Sequence, residues 1–276
     1  MNSEAIPSWL TAPVASLVGP LVRLEVLESR EDVHHHFARH IVSRLRAMNR
    51  AHGRALLILP VGPTAHYPEC ARLINEEGVS LSGITIIHMD EYVDADEQWI
   101  SDAHPLSFRG VMTRLFYNLL NPRLGSPRVI FPNPGHLSVI SQTIREMGGV
   151  DVAYGGIGIH GHVAFNEPLI GDGADELMNL PARVVTLNPE TVVMNASRSL
   201  GGWLDGFPRR AVTIGIPELL AAREVVLYAD GGTWQRTTLR KAVRGEADPA
   251  FPVTFLTSRR PCHVVTDAVT AGGILD

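Results

Sequence analysis

RALLILPVGPTAHYPECARLINEEGVSLSGITIIHMD, residues 54–90, decides the fold. It contains two continuous apolar runs, RALLILP and GITIIHM, with no apolar–polar alternation. A strand with one wet face alternates, whereas a strand covered on both faces has no polar side to show. Between the runs, AHYPECARLINEEG has helical character and supplies the long crossover that parallel pairing requires.

The same alternation extends in both directions. LVRLEVL (21–27) precedes REDVHHHFARHIVSRLRAMN, in which Val33, Phe37, Ile41, Leu45 and Met48 fall at helical spacing. After Asp90 the chain reads as a polar loop, followed by a helix over SFRGVMTRLFYNLL. RVIFP (128–132), the helical ISQTIREMGG and the strand VDVAYGG come next. RRAVTIG (209–215), EVVLYAD (224–230) and CHVVTD (262–267) read as later strands, with a helix over TWQRTTLRKAVRG stopped by Gly245. The pattern predicts a doubly wound, Rossmann-like α/β fold, with a mostly parallel sheet and helices on both faces. One domain is expected over residues 21–276, preceded by an N-terminal extension over residues 1–20.

Composition narrows the function. The chain has 276 residues, 45% hydrophobic and 19% charged, with a net charge of −5 and no long basic run, which argues against nucleic-acid or anionic-membrane partners. No apolar run approaches the ~20 residues that span a bilayer. The first twenty residues lack a basic segment ahead of their apolar part and are interrupted by Pro7 and Pro13, unlike a secretory signal. Cys70 and Cys262 make neither a disulfide framework nor a CxxC site. A cytoplasmic protein is the expectation.

In such a sheet, ligands bind outside the carboxyl ends of the strands. Three strand ends carry chemistry-bearing residues. Asp90 and Glu91 follow GITIIHM, and a carboxylate at the mouth of a buried strand is desolvated and becomes a usable base, or simply caps a turn. Gly62, Pro63 and Thr64 follow RALLILP, where backbone N–H groups and a hydroxyl can meet a phosphate, although Pro63 removes one donor. GGIGIHGHVAFNEP (155–168) places His162 five residues before Glu167, so a turn would let the carboxylate orient the imidazole. His160 and His162 also form an H-x-H pair, which suits a metal only with help from a carboxylate. The histidines of DVHHHFARH (His34, His35, His36 and His40) read as a solvated helix face.

Taken in order, FARHIVSRL, ILPVGPT, IIHMDEYV, HPLSF, GGIGIHGHVAFNEP, TLNPET and RRAVTIGIPELL resemble the glucosamine-6-phosphate deaminase (isomerase) family, from about Val22 to about Asp267. The resemblance implies an amino-sugar-phosphate deaminase and aldose–ketose isomerase that releases ammonia without cofactor or metal. By position, Asp90 is implied as the base at C2 and His162 as the group that opens the pyranose at O5. Glu167 would orient His162, and His160 would complete the relay. Gly62, Pro63, Thr64, Glu91, Gly156, Arg198 and Arg209 are implied at the substrate, a sugar or sugar phosphate, and a homo-oligomer is implied as well.

Departures from the family pattern are local. His160 stands where the family has Asp or Asn, and the loop reads Val61-Gly62-Pro63-Thr64 in place of T-G-G-T. Arg209 replaces a lysine, and Arg198 lies one residue beyond the position of the family arginine. These changes point to an altered sugar or anionic group. Two other readings fit the same motifs. One is a sugar-lactone hydrolase of the 6-phosphogluconolactonase type, with His162 activating water, against which the F-N-E-P continuation argues. The other is a non-catalytic sugar sensor, for which residues 1–20 are too short to hold a helix-turn-helix.

Overall fold

The structure, a computed structural model, describes residues 6–169 and 176–274. Its strands are β1 (Val22–Leu27), β2 (Ala55–Leu59), β3 (Ile84–His88), β4 (Asp90–Val93) and β5 (Arg128–Ile130), then β6 (Val150–Gly156), β7 (Arg183–Thr186), β8 (Arg210–Thr213), β9 (Ala222–Ala229) and β10 (Cys262–Asp267). Seven of them form one parallel sheet in the order β1-β10-β9-β6-β2-β3-β5.

The continuous apolar runs are explained by β2. Leu56 and Ile58 pack with Ile140, Leu227 and Leu239 in the core on one face, while Ala55, Leu57 and Leu59 pack with Phe37, Ile41 and Ile74 on the other. Each of these β2 side chains is at most 1% exposed, and burial of one such aliphatic chain contributes about 1.5–3 kcal/mol. The helix Arg30–Ala51 begins in a capping box between Ser29 and Asp32 and buries Val33, Phe37, Ile41, Leu45 and Met48, the five residues at helical spacing.

After β2, the chain crosses through the helix Tyr67–Glu76 on the Phe37 face. After β6, it returns through residues packed on the opposite face, including Ile214, Ile216 and Leu219. Adjacent strands whose connections leave in opposite directions open a crevice at their carboxyl ends. That crevice lies between β2 and β6.

Several expectations need correction. The polar stretch DEYV is not a loop but β4, antiparallel to β8, with Asp90 opposite Thr213. β8, read from RRAVTIG, lies not in the main sheet but in a second, three-stranded antiparallel sheet of order β4-β8-β7. Of the histidines of DVHHHFARH, His35 alone keeps to a solvated face, with 42% of its side chain exposed, and the other three do not. His36 Nδ1 lies 3.1 Å from Tyr228 Oη, His40 Nδ1 lies 3.0 Å from Tyr154 Oη, and His34 and His35 reach Asp230 and Glu69. Their acidic and phenolic partners come from elements far away in sequence. The described part of the N-terminal extension docks on the helix Arg236–Arg244: Gly19 N donates to Val243 O at 2.8 Å, and Lys241 Nζ lies 4.8 Å from the Trp9 ring centroid. Residues 1–5 of that extension lie outside the described residues.

Candidate active site

A cleft of about 490 Å³ occupies the crevice, within the usual size range of small-molecule sites. Its floor is the loop after β2, with Gly62, Pro63 and Thr64 lining it. Gly156 closes the seam with β6. A Cβ there would lie 2.9 Å from Gly62 O and 3.3 Å from Pro63 Cδ, so only glycine lets the strand end meet the loop.

Asp90, the first residue of β4, lines the cleft beside Tyr92. Burial pushes its carboxyl up to about 8, and the neighbouring Glu91 charge adds to this. Among the described residues no hydrogen bond or ion pair reaches the Asp90 carboxylate. Glu91 points the other way. Its carboxylate accepts from Ser107 Oγ (2.9 Å), Phe108 N (3.0 Å) and Arg109 N (2.9 Å), and so caps the helix Phe108–Leu115. Glu91 is fully buried and does not line the cleft, contrary to the substrate contact implied for it. Strand alternation separates the two acids: Asp90 faces the cleft, and Glu91 faces a helix start.

The loop after β6 brings in His162. Its ring lies flat against Gly158, where a Cβ would sit 1.9 Å from Nε2, 2.2 Å from Cε1 and 2.3 Å from Cδ2. Phe165 N donates to Thr213 Oγ1 at 3.0 Å, and the Asn166 amide donates to Val163 O and Ile214 O, both at 3.0 Å, so the loop is clamped to β8. Ala164, a cleft residue, is held at φ +55°, a strained conformation for a residue with a Cβ. Burial, and secondarily the neighbouring His160, hold His162 down at about 3.

Glu167 Oε1 lies 4.0 Å from His162 Nδ1, near the ring but beyond hydrogen-bond distance. Its other oxygen accepts from Asn188 N at 2.7 Å, at the start of the helix Pro189–Ser199. Neither Glu167 nor His160 lines the cleft; both stand behind His162. His160 Nε2 faces Glu190 Oε2 at 3.6 Å.

The helix Pro189–Ser199 supplies one wall through Thr191, Met194, Asn195 and Arg198. Steps of three and four put these residues on one face. Arg198 Cζ lies 5.6 Å from the Trp234 ring centroid, and both residues line the cleft. Arg209, by contrast, is exposed, donates to Leu204 O at 3.0 Å and lies outside the lining.

Sequence reasoning passed over one further group. Asp230, just beyond β9, accepts from Arg30 Nε at 3.0 Å and pairs with His34 Nε2 at 2.8 Å at the cleft margin. Burial alone would raise its carboxyl, but the bonds from His34 and Arg30 outweigh this and hold it below the usual carboxylate value. The signal was its place at a strand's carboxyl end in EVVLYAD, the rule that had already singled out Asp90.

No protein-family model matches the chain. Curated relatives do. It is 30% identical over 253 residues to a glucosamine-6-phosphate deaminase from Mannheimia succiniciproducens, covering 89% of this chain and 90% of that one. It is also 30% identical over 237 residues to one from Porphyromonas gingivalis, covering 83% and 85%. Among solved structures, a monomeric glucosamine-6-phosphate deaminase of the NagB superfamily superposes with a TM-score of 0.75 at 26% identity, over 91% of this chain and 98% of that one. A 6-phosphogluconolactonase from Shewanella baltica shares the fold, with a TM-score of 0.67 at 17% identity over 91% of this chain and 100% of that one. The chain belongs to the glucosamine-6-phosphate deaminase family.

Proposed function

We propose that this protein converts a 2-amino-2-deoxyaldose 6-phosphate, glucosamine 6-phosphate or a close variant, to the ketose 6-phosphate and ammonia, without a cofactor. The carrying observation is Asp90: a carboxylate buried at a cleft wall, raised to about 8, with no cationic partner among the described residues. A substrate bearing an ammonium group at C2 supplies that cation and favours the ionised, basic form on binding.

The steps follow from the groups in place. His162, neutral in its buried setting, takes the O1 proton and returns it to O5, opening the ring to a C1 aldehyde. The carbonyl makes the C2 hydrogen acidic. Asp90 removes it and returns it to C1, O1 takes a proton from the C2 ammonium, and the resulting C2 iminium is hydrolysed, so one water is consumed and one ammonia released as ammonium. Glu167, held by Asn188 N, and His160 flank His162 and bias its position and tautomer.

Thr64 and Arg198 are the groups in the cleft suited to the phosphate, with Trp234 holding the guanidinium in place. Arg198→Ala is expected to raise KM for glucosamine 6-phosphate about 10–100-fold, the loss of one charge-assisted contact. It should also narrow the preference over unphosphorylated glucosamine. Arg209→Ala should change KM by less than about twofold, as expected of an exposed contact. Steady-state assays of ammonia release on both sugars test this, and an Arg209→Ala effect as large as that of Arg198→Ala would overturn it.

A further inference from the structure

His160 Nδ1, His162 Nδ1 and Glu167 Oε1, behind the cleft, are buried and make no hydrogen bond of ordinary geometry among the described residues, and the equally unpaired Thr191 hydroxyl stands near the Glu167 carboxylate. The first three atoms belong to residues that converge. One ligand atom from each of His160, His162 and Glu167 lies within 4.8 Å of the other two. A buried polar atom left unsatisfied is costly, and His162 Nδ1 and Glu167 Oε1 lie 4.0 Å apart with His160 beside them, so the three residues call for a common partner.

We propose that His160, His162 and Glu167 form a binding site for a divalent transition-metal ion of the zinc type, and that filling it switches off ring opening. Two imidazole nitrogens and one carboxylate oxygen are a donor set for Zn²⁺, Co²⁺ or Ni²⁺ rather than for Mg²⁺ or Ca²⁺. Around the trio, one outer contact is made and a second is close. The Glu190 carboxylate lies 3.6 Å from His160 Nε2, near enough for its charge to favour the proton there and leave the Nδ1 lone pair free. Asn188 N holds Glu167 Oε2, leaving Oε1 to face the histidines. Tetrahedral coordination at about 2.1 Å needs donors roughly 3.4 Å apart, so the His162–Glu167 separation of 4.0 Å closes by a small side-chain rotation.

The consequence for the reaction is chemical. Coordination through His162 Nδ1 leaves the ring proton on Nε2, the nitrogen lying over the cleft residue Gly158. An Nε2–H can donate but cannot accept the O1 proton, so the ring-opening step stops. The family's Asp or Asn at position 160 would offer no imidazole here, which makes His160 the residue that creates the site.

This inference rests on the proposed role of His162 only for its effect on turnover, so its test reads metal binding directly. Chelator-treated protein is titrated with Co²⁺, following the visible d–d absorption and, by equilibrium dialysis, the stoichiometry. One Co²⁺ per chain is expected, displaced by Zn²⁺. His160→Asn should weaken it by more than the roughly 10–100-fold that loss of an outer-shell partner causes. Zn²⁺ should inhibit ammonia release by the wild type and not by His160→Asn. Absence of a Co²⁺ spectrum in the wild type would overturn the proposal. So would binding that survives His160→Asn and disappears in His36→Gln, because it would place the ion at the separate Glu25, His36 and His263 cluster. Co²⁺ binding at the predicted position together with no deaminase activity would leave the metal site standing and remove the proposed reaction.

Discussion

Replacing Asp90 with asparagine is expected to reduce kcat by about 10³-fold, the middle of the range for loss of a general base, while leaving KM within a few fold. The amide keeps the shape and can still hydrogen-bond the substrate, but it cannot take the C2 proton. The same substitution should stabilise the fold at alkaline pH. Asp90 rises from 3.8 to about 8 on folding because burial, and secondarily Glu91, disfavour its charge. Between those values the folded state holds a proton that the unfolded state has released. Wild-type stability therefore falls as pH rises through this window, by up to about 1.4 kcal/mol per pH unit. The Asp90→Asn variant would lack that slope, so it should exceed the wild type at about pH 8.5 by on the order of 2–5 kcal/mol, with the gap closing below about pH 4. Urea unfolding across pH, alongside kcat and KM, reads both effects. In the wild type, the acid limb of kcat/KM should lie near 8, with that of kcat lower because the bound ammonium favours the ionised carboxylate. Retention of kcat within tenfold by Asp90→Asn would remove Asp90 from the role of base.

The second large effect concerns a residue with no functional group. Gly158→Ala places a methyl 1.9 Å from His162 Nε2 and within 2.3 Å of two ring carbons. Ordinary contact needs about 3.4 Å, so the ring must shift by over an ångström, and misplacement on that scale costs about 10²-fold in rate. Gly158 is not in the left-handed region, so its backbone tolerates alanine and the loss should fall on catalysis more than on folding. A kcat reduced about 10²-fold with a nearly unchanged unfolding midpoint is the expected result. Full activity would mean that His162 does not work from this position.

These two residues also show where the sequence was legible and where it was not. The central strands β2 and β3 are continuous apolar runs, and a chain segment buried on both faces leaves few alternatives; RALLILP and VDVAYGG lie where expected. DEYV was unreadable because its partner β8 lies some 120 residues away, and two acids in four residues look like loop. The same blindness affected Glu91. Its ligands are backbone N–H groups of a helix start 17 and 18 residues further on, which no local pattern reveals. His36 and His40 appeared solvated because the tyrosines that receive them sit on β9 and β6. Arg198 and Arg209 could be separated only by three-dimensional placement, since each is an arginine near a family position. Gly158 left no sequence signal beyond being one glycine among several, and its importance is the ring resting on it.

Conversion of an amino-sugar phosphate with release of ammonia can be read from one spectrum. Glucosamine 6-phosphate incubated with the chelator-treated protein is followed by NMR at C1, with ammonia measured in the same tube. The anomeric signal is expected to be replaced by the C1 methylene of the ketose 6-phosphate, with one ammonia for each ketose formed. An unchanged anomeric signal, together with hydrolysis of 6-phosphogluconolactone by the same preparation, would contradict it.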